Sequence, residues 1–396
     1  MLRFLTIAVI LILSVPTDAQ VYRYNLKFTF SEKNFTDTIP IEYDRDQLFL
    51  PVDIDGHRLR FKIDTGSSTT VIYDDSPIRT ISELGHIRST DATGASHPVR
   101  VVALPPLHIG RLTVNGYSAC VHHRMVHRSH EDGILGFDLF NKGLAAKIDT
   151  RRGVMIITDQ KKLMKEEQGE AMRYQLKSFV PYVKASPVNG VVEDMLFDSG
   201  SRELYAMNKQ QFDLLESKDS GMSQLVEGRG QGSIAIGHFG AEKASEVVLL
   251  ALPSLRLGNF ELRDIHCQTF QGSSHLGAPL LKYGALVINP FGKQLIFQPY
   301  DHQNYCIVSN PQFEIAIVPT RDGKPSVGLV WERSEAYQQG FRPGDIIEKV
   351  DDQPAGDFQS FIRRSYIIDH IYTFILRDTR GFQKEVHSTM PLLRRR

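Results

Sequence analysis

Phe61-Lys62-Ile63-Asp64-Thr65-Gly66-Ser67 and Met195-Leu196-Phe197-Asp198-Ser199-Gly200-Ser201 are two versions of one pattern: an apolar run ending on an aspartate, then a hydroxyl residue, a glycine and a serine. Two further blocks recur outward from them in the same order. Leu104-Pro105-Pro106-Leu107-His108-Ile109-Gly110 is echoed by Leu252-Pro253-Ser254-Leu255-Arg256-Leu257-Gly258, and Leu135-Gly136 with Leu139 and Gly143 by Leu276-Gly277 with Leu280 and Gly284. The three offsets, roughly 134, 148 and 141 residues, are nearly constant, which a duplicated unit of ~120 residues explains. The copies run over 41–158 and 178–299. Between them, 159–177 opens with the charged run Asp159-Gln160-Lys161-Lys162-Leu163-Met164-Lys165-Glu166-Glu167-Gln168, read as a solvated linker or short surface helix.

The duplicated unit is mainly β. Tyr22, Tyr24, Leu26, Phe28 and Phe30 alternate with polar residues, the period of a half-buried strand, within an N-terminal strand segment over 20–40. Asp55-Gly56 separates the apolar runs Leu48–Ile54 and Leu59–Ile63, a hairpin signal.

In each copy the glycine lets the chain turn sharply while backbone N–H groups approach the carboxylate, and the hydroxyl can reach across to the opposite copy. Two such turns face to face would set Asp64 beside Asp198. Neighbouring carboxyls cannot both ionise cheaply, so such a pair holds one proton over a broad pH range. One member is then a base and the other an acid, and a water between them can be driven onto a substrate carbonyl without metal or cofactor.

Asp64-Thr65-Gly66-Ser67-Ser68 and Asp198-Ser199-Gly200-Ser201 resemble the two active-site turns of the aspartic proteases. Ile134-Leu135-Gly136 matches that family's hydrophobic-hydrophobic-glycine support, and His275-Leu276-Gly277 matches it less closely. The lobe length is nearer a fused pair of retropepsin-like units than the longer pepsin lobes. The resemblance covers about 41–299 and implies a bilobal double barrel with a catalytic dyad of Asp64 and Asp198. It further implies that Thr65 and Ser199 lock the turns, with Gly66, Ser67, Gly200 and Ser201 supporting them. A covering hairpin would fall near Arg88 to Val102 around Gly94, without the tyrosine of the pepsin flap. Glu227-Gly228-Arg229-Gly230-Gln231-Gly232 takes the equivalent place in the second copy, as a flap or a plain flexible loop.

Beyond Asn310-Pro311 the repeat stops. Ser326-Val327-Gly328-Leu329-Val330, the short helix ending at Gly340, and Pro343-Gly344-Asp345 turning into Ile346–Val350 resemble a small α+β PDZ domain of the bacterial protease-associated type, over 311–390. Such domains take an extended peptide as an added strand. The resemblance implies that backbone near Val327, Gly328 and Leu329 receives a peptide C-terminus. Trp331, the single tryptophan, is expected in a core.

Composition limits the remaining possibilities. With 46 basic and 46 acidic residues there is no field of one sign to gather nucleic acid or an anionic membrane surface. At 41% hydrophobic and 23% charged, the 396 residues fit a globular protein and not a disordered, collagenous or coiled-coil one. Met1-Leu2-Arg3, an apolar stretch from Phe4 to Val15 and Pro16-Thr17-Asp18-Ala19 read as a signal peptide over 1–19, implying a periplasmic or extracellular address. No later stretch is apolar enough to span a membrane. A chain carrying both halves needs no second copy to complete its cleft, so a monomer acting on a polypeptide substrate is expected.

Three other readings compete with this one. Phe197-Asp198-Ser199-Gly200-Ser201 is similar to the Gly-Asp-Ser-Gly-Gly of trypsin-like proteases, with Ser199 as nucleophile, but Phe197 replaces a glycine and no Thr-Ala-x-His-Cys lies upstream. Cys120, His122, His123, His127, His130 and Asp132 are the densest set of metal-ligand types, yet they contain no His-Glu-x-x-His and lead into the Ile134 block, so a histidine-rich strand and loop is the simpler account. A catalytically silent, exported peptide-binding protein acting through its PDZ groove is the non-enzymatic alternative. Cys120 and Cys267 hold near-equivalent places in the copies and are expected as buried thiols.

Overall fold

Asp55 and Gly56 both adopt positive φ, 52° and 77°, and close the expected hairpin with Ile54 paired to His57. This hairpin joins β1 (Gln47–Ile54) to β2 (His57–Ile63). The computed structural model describes residues 27–124, 131–188, 190–218, 221–308, 312–367, 370–389 and 392–393. The expected signal segment 1–19, Tyr22, Tyr24 and Leu26, and His127 and His130 of the histidine-rich run lie outside them. Among the described residues, no helix is long and apolar enough to cross a membrane.

The repeat read from the sequence is a repeat of topology. The first copy continues through β3 (Val71–Tyr73), β4 (Ser82–Thr90), β5 (Ser96–Ala103), β6 (Ser118–His122) and β7 (Gly133–Leu135). The second uses β8 (Val180–Ala185), β9 (Glu193–Asp198), β10 (Tyr205–Asn208), β11 (Val226–Gly232), β12 (Ile236–Gly237), β13 (Gly240–Ala241), β14 (Ser245–Leu257), β15 (Phe260–Phe270) and β16 (His275–Gly277). Read across the sheets, β4-β5-β6-β3-β7-β2-β1 has its counterpart in β11-β14-β15-β10-β16-β9-β8. The parallel pairs correspond as well: β7 with β2 and β6 with β3, against β16 with β9 and β10 with β15. Cys120 and Cys267 lie on the matching strands β6 and β15, both as buried free thiols.

The ends of the two copies meet in one platform. Beyond β8 the sheet runs on through Glu170–Lys177, Gln294–Pro299, Gly284–Asn289, Ala145–Asp149, Val154–Thr158 and Thr36–Pro40. The charged segment between the copies thus has two parts. Its helix Lys161–Glu166 inserts Met164 against Ala145, Val287 and Ile296, and the strand after it buries Met172 and Tyr174.

The C-terminal residues form a separate sheet in the order β17 (Ile315–Pro319), β18 (Pro325–Val330), β19 (Ile346–Val350), β20 (Ile371–Arg377) and β21 (Gln383–Thr389), with its own apolar cluster around Phe341, Phe361 and Phe374. The expected short helix is Glu335–Gln339, capped by the Ser334 hydroxyl and ended by Gly340 at φ 111°. This unit docks on β11. Gly228, Gly230 and Gly232 alternate along that strand, and in each case a Cβ would meet the C-terminal unit: Trp331 at Gly228, Leu329 at Gly230, and the Gly328 carbonyl at Gly232. A strand face stripped of side chains admits another strand closely. Ser233 N–H donates to Gly328 O at 2.9 Å and Glu332 N–H to Arg229 O at 3.1 Å, while Trp331 and Leu329 bury against Val247 and Leu249. Trp331 is accordingly a core residue, as expected. Gly230→Val should cost roughly 1–3 kcal/mol through overpacking, read as a lowered denaturation midpoint and faster proteolytic release of the C-terminal unit. An unchanged midpoint would contradict this packing.

Candidate active site

Asp64 and Asp198 stand at equivalent ends of β2 and β9, and each closes its own turn. Gly66 and Ser67 N–H both donate to Asp64 Oδ1 at 3.1 Å, and Gly200 N–H donates to Asp198 Oδ1 at 2.9 Å. The turns are bolted together by the two hydroxyls. Thr65 Oγ1 donates to Phe197 O at 2.7 Å and accepts from Ser199 N at 2.9 Å, while Ser199 Oγ donates to Ile63 O at 2.9 Å and accepts from Thr65 N at 3.0 Å. Thr65 and Ser199 are both 0% exposed, so each hydroxyl is fully used inside protein. Ser199 therefore presents no oxygen to a substrate, which removes the geometric basis for a serine nucleophile.

This lock brings the carboxyls into contact. A Cβ on Gly66 would lie 2.5 Å from Asp198 Cγ, and a Cβ on Gly200 would run into the Asp64 carboxylate. Only glycine at both positions leaves room for the two acids. Behind the turns, Asp64 N–H donates to Leu135 O at 3.0 Å and Phe137 N–H to Ser67 O at 2.8 Å. In the second copy Ala278 N–H donates to Ser201 O at 3.1 Å, and a Cβ on Gly277 would collide with the Glu203 carbonyl. Both Leu-Gly blocks thus support their turns from beneath, including the less closely matching His275-Leu276-Gly277. Ser67 Oγ donates to Thr69 O at 2.7 Å, and Ser201 Oγ lies 3.0 Å from His275 Nε2. Ser199→Ala would strand two buried backbone groups and is expected to cost roughly 2–4 kcal/mol, whereas Ser199→Thr keeps the hydroxyl. Chemical denaturation of both variants measures this, and equal midpoints would contradict the lock.

The sequence reading missed the groups that make the pair asymmetric. Lys62 lies two residues before Asp64 on the same face of β2, and its Nζ is 3.2 Å from Asp64 Oδ2 with both side chains nearly buried, 11% and 13% exposed. The matching position before Asp198 is Leu196. Burial works against the Asp64 anion, but the Lys62 ammonium, His238 and hydrogen bonds from Lys62 and Asp198 outweigh it and hold Asp64 below the usual carboxylate range. Burial, then the negative Asp64, push Asp198 up to about 7 against the pull of Lys62. Asp64 is thus the ionised member and Asp198 the protonated one, donating to it. Burial would lower Lys62, but Asp64, Glu131 and Asp198 keep it charged. The signal was available in the strand period, which points residues 62 and 64 the same way.

Around this centre, β2, β7, β3, β6 and β5 present one row of side chains: Lys62, Ile134, Val71, Cys120 and Val101 pair successively across the sheet. In the next row, His122 is 3% exposed with neither ring nitrogen hydrogen bonded, and burial drives its pKa to about 3. His123 instead faces outward to Asp74 at 2.6 Å, and Asp132 Oδ2 accepts from Arg60 N at 2.8 Å. Cys120 and His122 are therefore on β6, His123 just past its end and Asp132 ahead of β7, with β3 between the two strands. The Arg88–Val102 region is a true hairpin of β4 and β5 with Gly94 at its tip. Glu227–Gly232 lies on strand β11, which pairs with β14 as β4 pairs with β5, so it is one arm of the corresponding hairpin and not a plain loop; the short hairpin of β12 and β13 lies between the two arms. Val327, Gly328 and Leu329 lie in the fully buried β18, where Val327 N–H donates to Asp345 O at 2.8 Å and the second copy covers Gly328. No edge is open there for a peptide.

Residues 50–139 match the family model of aspartyl proteases, a stretch that contains the Asp64 turn and its Leu135-Gly136 support. No curated protein matches the chain. Among solved structures, the chain is similar to an aspartic proteinase from Irpex lacteus, at a TM-score of 0.45 and 15% identity over 67% of this chain and 97% of that one.

Proposed function

We propose that this protein is an aspartic endopeptidase whose two sheet halves are duplicated lobes sharing one catalytic dyad, Asp64 and Asp198. The observation that carries the reading is the reciprocal lock of Thr65 and Ser199, which holds two acids in contact with one proton between them. Asp64, ionised, takes a proton from a water as its oxygen attacks the scissile carbonyl carbon. Asp198 gives its proton to the carbonyl oxygen, producing a neutral gem-diol and leaving the proton inventory of the pair unchanged. Collapse of that diol breaks the C–N bond, with a proton passing from the dyad to the departing nitrogen and one from the diol hydroxyl returning. Neither step forms a covalent enzyme intermediate or calls on a metal. The purified protein is expected to cleave an unfolded polypeptide in the presence of chelator and of serine-directed reagents. Loss of activity with either reagent would contradict the reading.

The C-terminal sheet we take to be a PDZ-like module that selects the substrate. Its strand order leaves β17 at the end of the sheet, which supports Ile315–Pro319 rather than Val327–Leu329 as the place for an added peptide strand. Export by the 1–19 segment and a monomeric state complete the reading.

A further inference from the structure

The two copies differ in what holds the serine of the turn. In the first copy the Ser67 hydroxyl donates to a backbone carbonyl, Thr69 O, and Ser67 N–H joins Gly66 N–H on Asp64 Oδ1. In the second copy Ser201 N–H donates to Asp198 O, and among the described residues Gly200 N–H is the single backbone donor to the Asp198 carboxyl. The Ser201 hydroxyl lies 3.0 Å from His275 Nε2, on β16, where the first copy carries the apolar Ile134.

The proton on this contact follows by elimination. His275 Nδ1 is 3.2 Å from Ser273 O, and a carbonyl only accepts, so Nδ1 carries the ring proton. Nε2 is then bare and accepts from the Ser201 O–H, while Ser201 Oγ accepts from Glu203 N–H at 3.2 Å. His275 is 8% exposed and edge-on to the Phe270 ring at 5.3 Å. Burial, opposed by the Ser273 carbonyl, holds it below the ordinary histidine value, which keeps it an uncharged acceptor at neutral pH.

We infer that His275 is a positioning residue for the dyad: it holds the Ser201 O–H away from Asp198 and so keeps the shared proton on Asp198. An O–H given to a carboxylate stabilises the anion. Released by His275, Ser201 needs only a rotation about its Cα–Cβ bond to turn its O–H toward the carboxyl that its own turn encloses. The charged groups facing Asp198 are Asp64, which favours its protonation, and Lys62, which opposes it. The inference rests on the dyad reading above and adds a cause, besides burial and Asp64, for Asp198 being the acid that holds the proton.

Three full-length variants test it, through the ¹³C carboxyl titration of Asp198 and the alkaline limb of kcat/KM on a labelled unfolded polypeptide. His275→Leu, which gives the second copy an apolar residue like that of the first, frees Ser201 and should lower both by about one pH unit. Activity at the alkaline end then falls about tenfold. Ser201→Ala should leave the Asp198 step in place, because its hydroxyl is not on that carboxyl to begin with. His275→Leu combined with Ser201→Ala should return the step to its wild-type position. A change of packing alone would shift the double variant as much as His275→Leu. A double variant still shifted, or an unmoved step in His275→Leu, would therefore overturn the inference. The ¹⁵N shifts of His275 in the wild-type protein check the tautomer without any substitution: a proton on Nδ1 is expected, and a proton on Nε2 would overturn the inference. An Asp198 step that responds as described in a protein that never cleaves would keep the role of His275 and sink the dyad reading. An unmoved step in a protein that does cleave would sink the role of His275 alone.

Discussion

Asp64→Asn or Asp198→Asn should each lower kcat by about 10³-fold or more, in keeping with loss of a positioned general acid or base, while the protein stays folded. The two substitutions remove different halves of the same proton transfer. Asn at 64 cannot take the water's proton. Asn at 198 still offers an N–H to Asp64, but it has no proton to give to a carbonyl oxygen and none to recover from the diol. KM should move little by comparison, because neither group is placed to bind the peptide as such. Combining the two should cost scarcely more than either alone, as expected of residues that act as a unit. Additive losses, or a single variant with wild-type kcat, would mean that the acids do not share one reaction.

The second large effect concerns pH and Lys62. The active form needs Asp64 ionised and Asp198 protonated, so activity should be lost on the acid side as Asp64 takes up a proton and on the alkaline side as Asp198 loses its own near pH 7. Removing a cation makes both carboxylates harder to form. Lys62→Met should therefore move both limbs of the profile upward, with relative activity at the acid end falling by about tenfold. Lys62→Arg should hold the profile in place. The groups facing Lys62 are Asp64 beside it on the chain, Asp198 from the second copy, Glu131 ahead of β7, and His238 from the hairpin, which burial and then Lys62 hold below the ordinary histidine value. The same pair enters stability. A carboxylate depressed on folding contributes stability that is present above its unfolded pKa and fades as pH falls through the folded one, so that contribution of Asp64 should fade at a higher pH in Lys62→Met. A profile with unmoved limbs would contradict the role of Lys62.

The doubled apolar-Asp-hydroxyl-Gly-Ser pattern made the heart of the fold legible, because period two, turn glycines and a recurring Leu-Gly block are all local signals. Thr65 and Ser199 exchange four hydrogen bonds across the two turns, because a fully buried hydroxyl must find its partners inside the protein. What escaped it depends on chain segments distant in sequence. Gly228, Gly230 and Gly232 read as a flap or a flexible loop, and they are strand residues bare on one side because Leu329 and Trp331 arrive from the far end of the chain. Val327–Leu329 are assigned a peptide C-terminus by resemblance, since nothing local announces that β11 packs against them. His238 and Phe239 carry no motif, and only their contacts with Asp91 and His122 set them against the first copy. Lys62 was legible, since the matching residue in the second copy is Leu196 and the difference in charge already breaks the symmetry of the repeat.

The dyad itself is tested most directly by following the ¹³C carboxyl resonances of Asp64 and Asp198 through a pH titration of the full-length protein. Two well-separated steps are expected, one below the ordinary aspartate range at Asp64 and one at about 7 at Asp198, with the upper step changed when the partner is replaced by asparagine. Two independent titrations near the ordinary value, each indifferent to the other residue, would contradict a shared proton and the mechanism built on it.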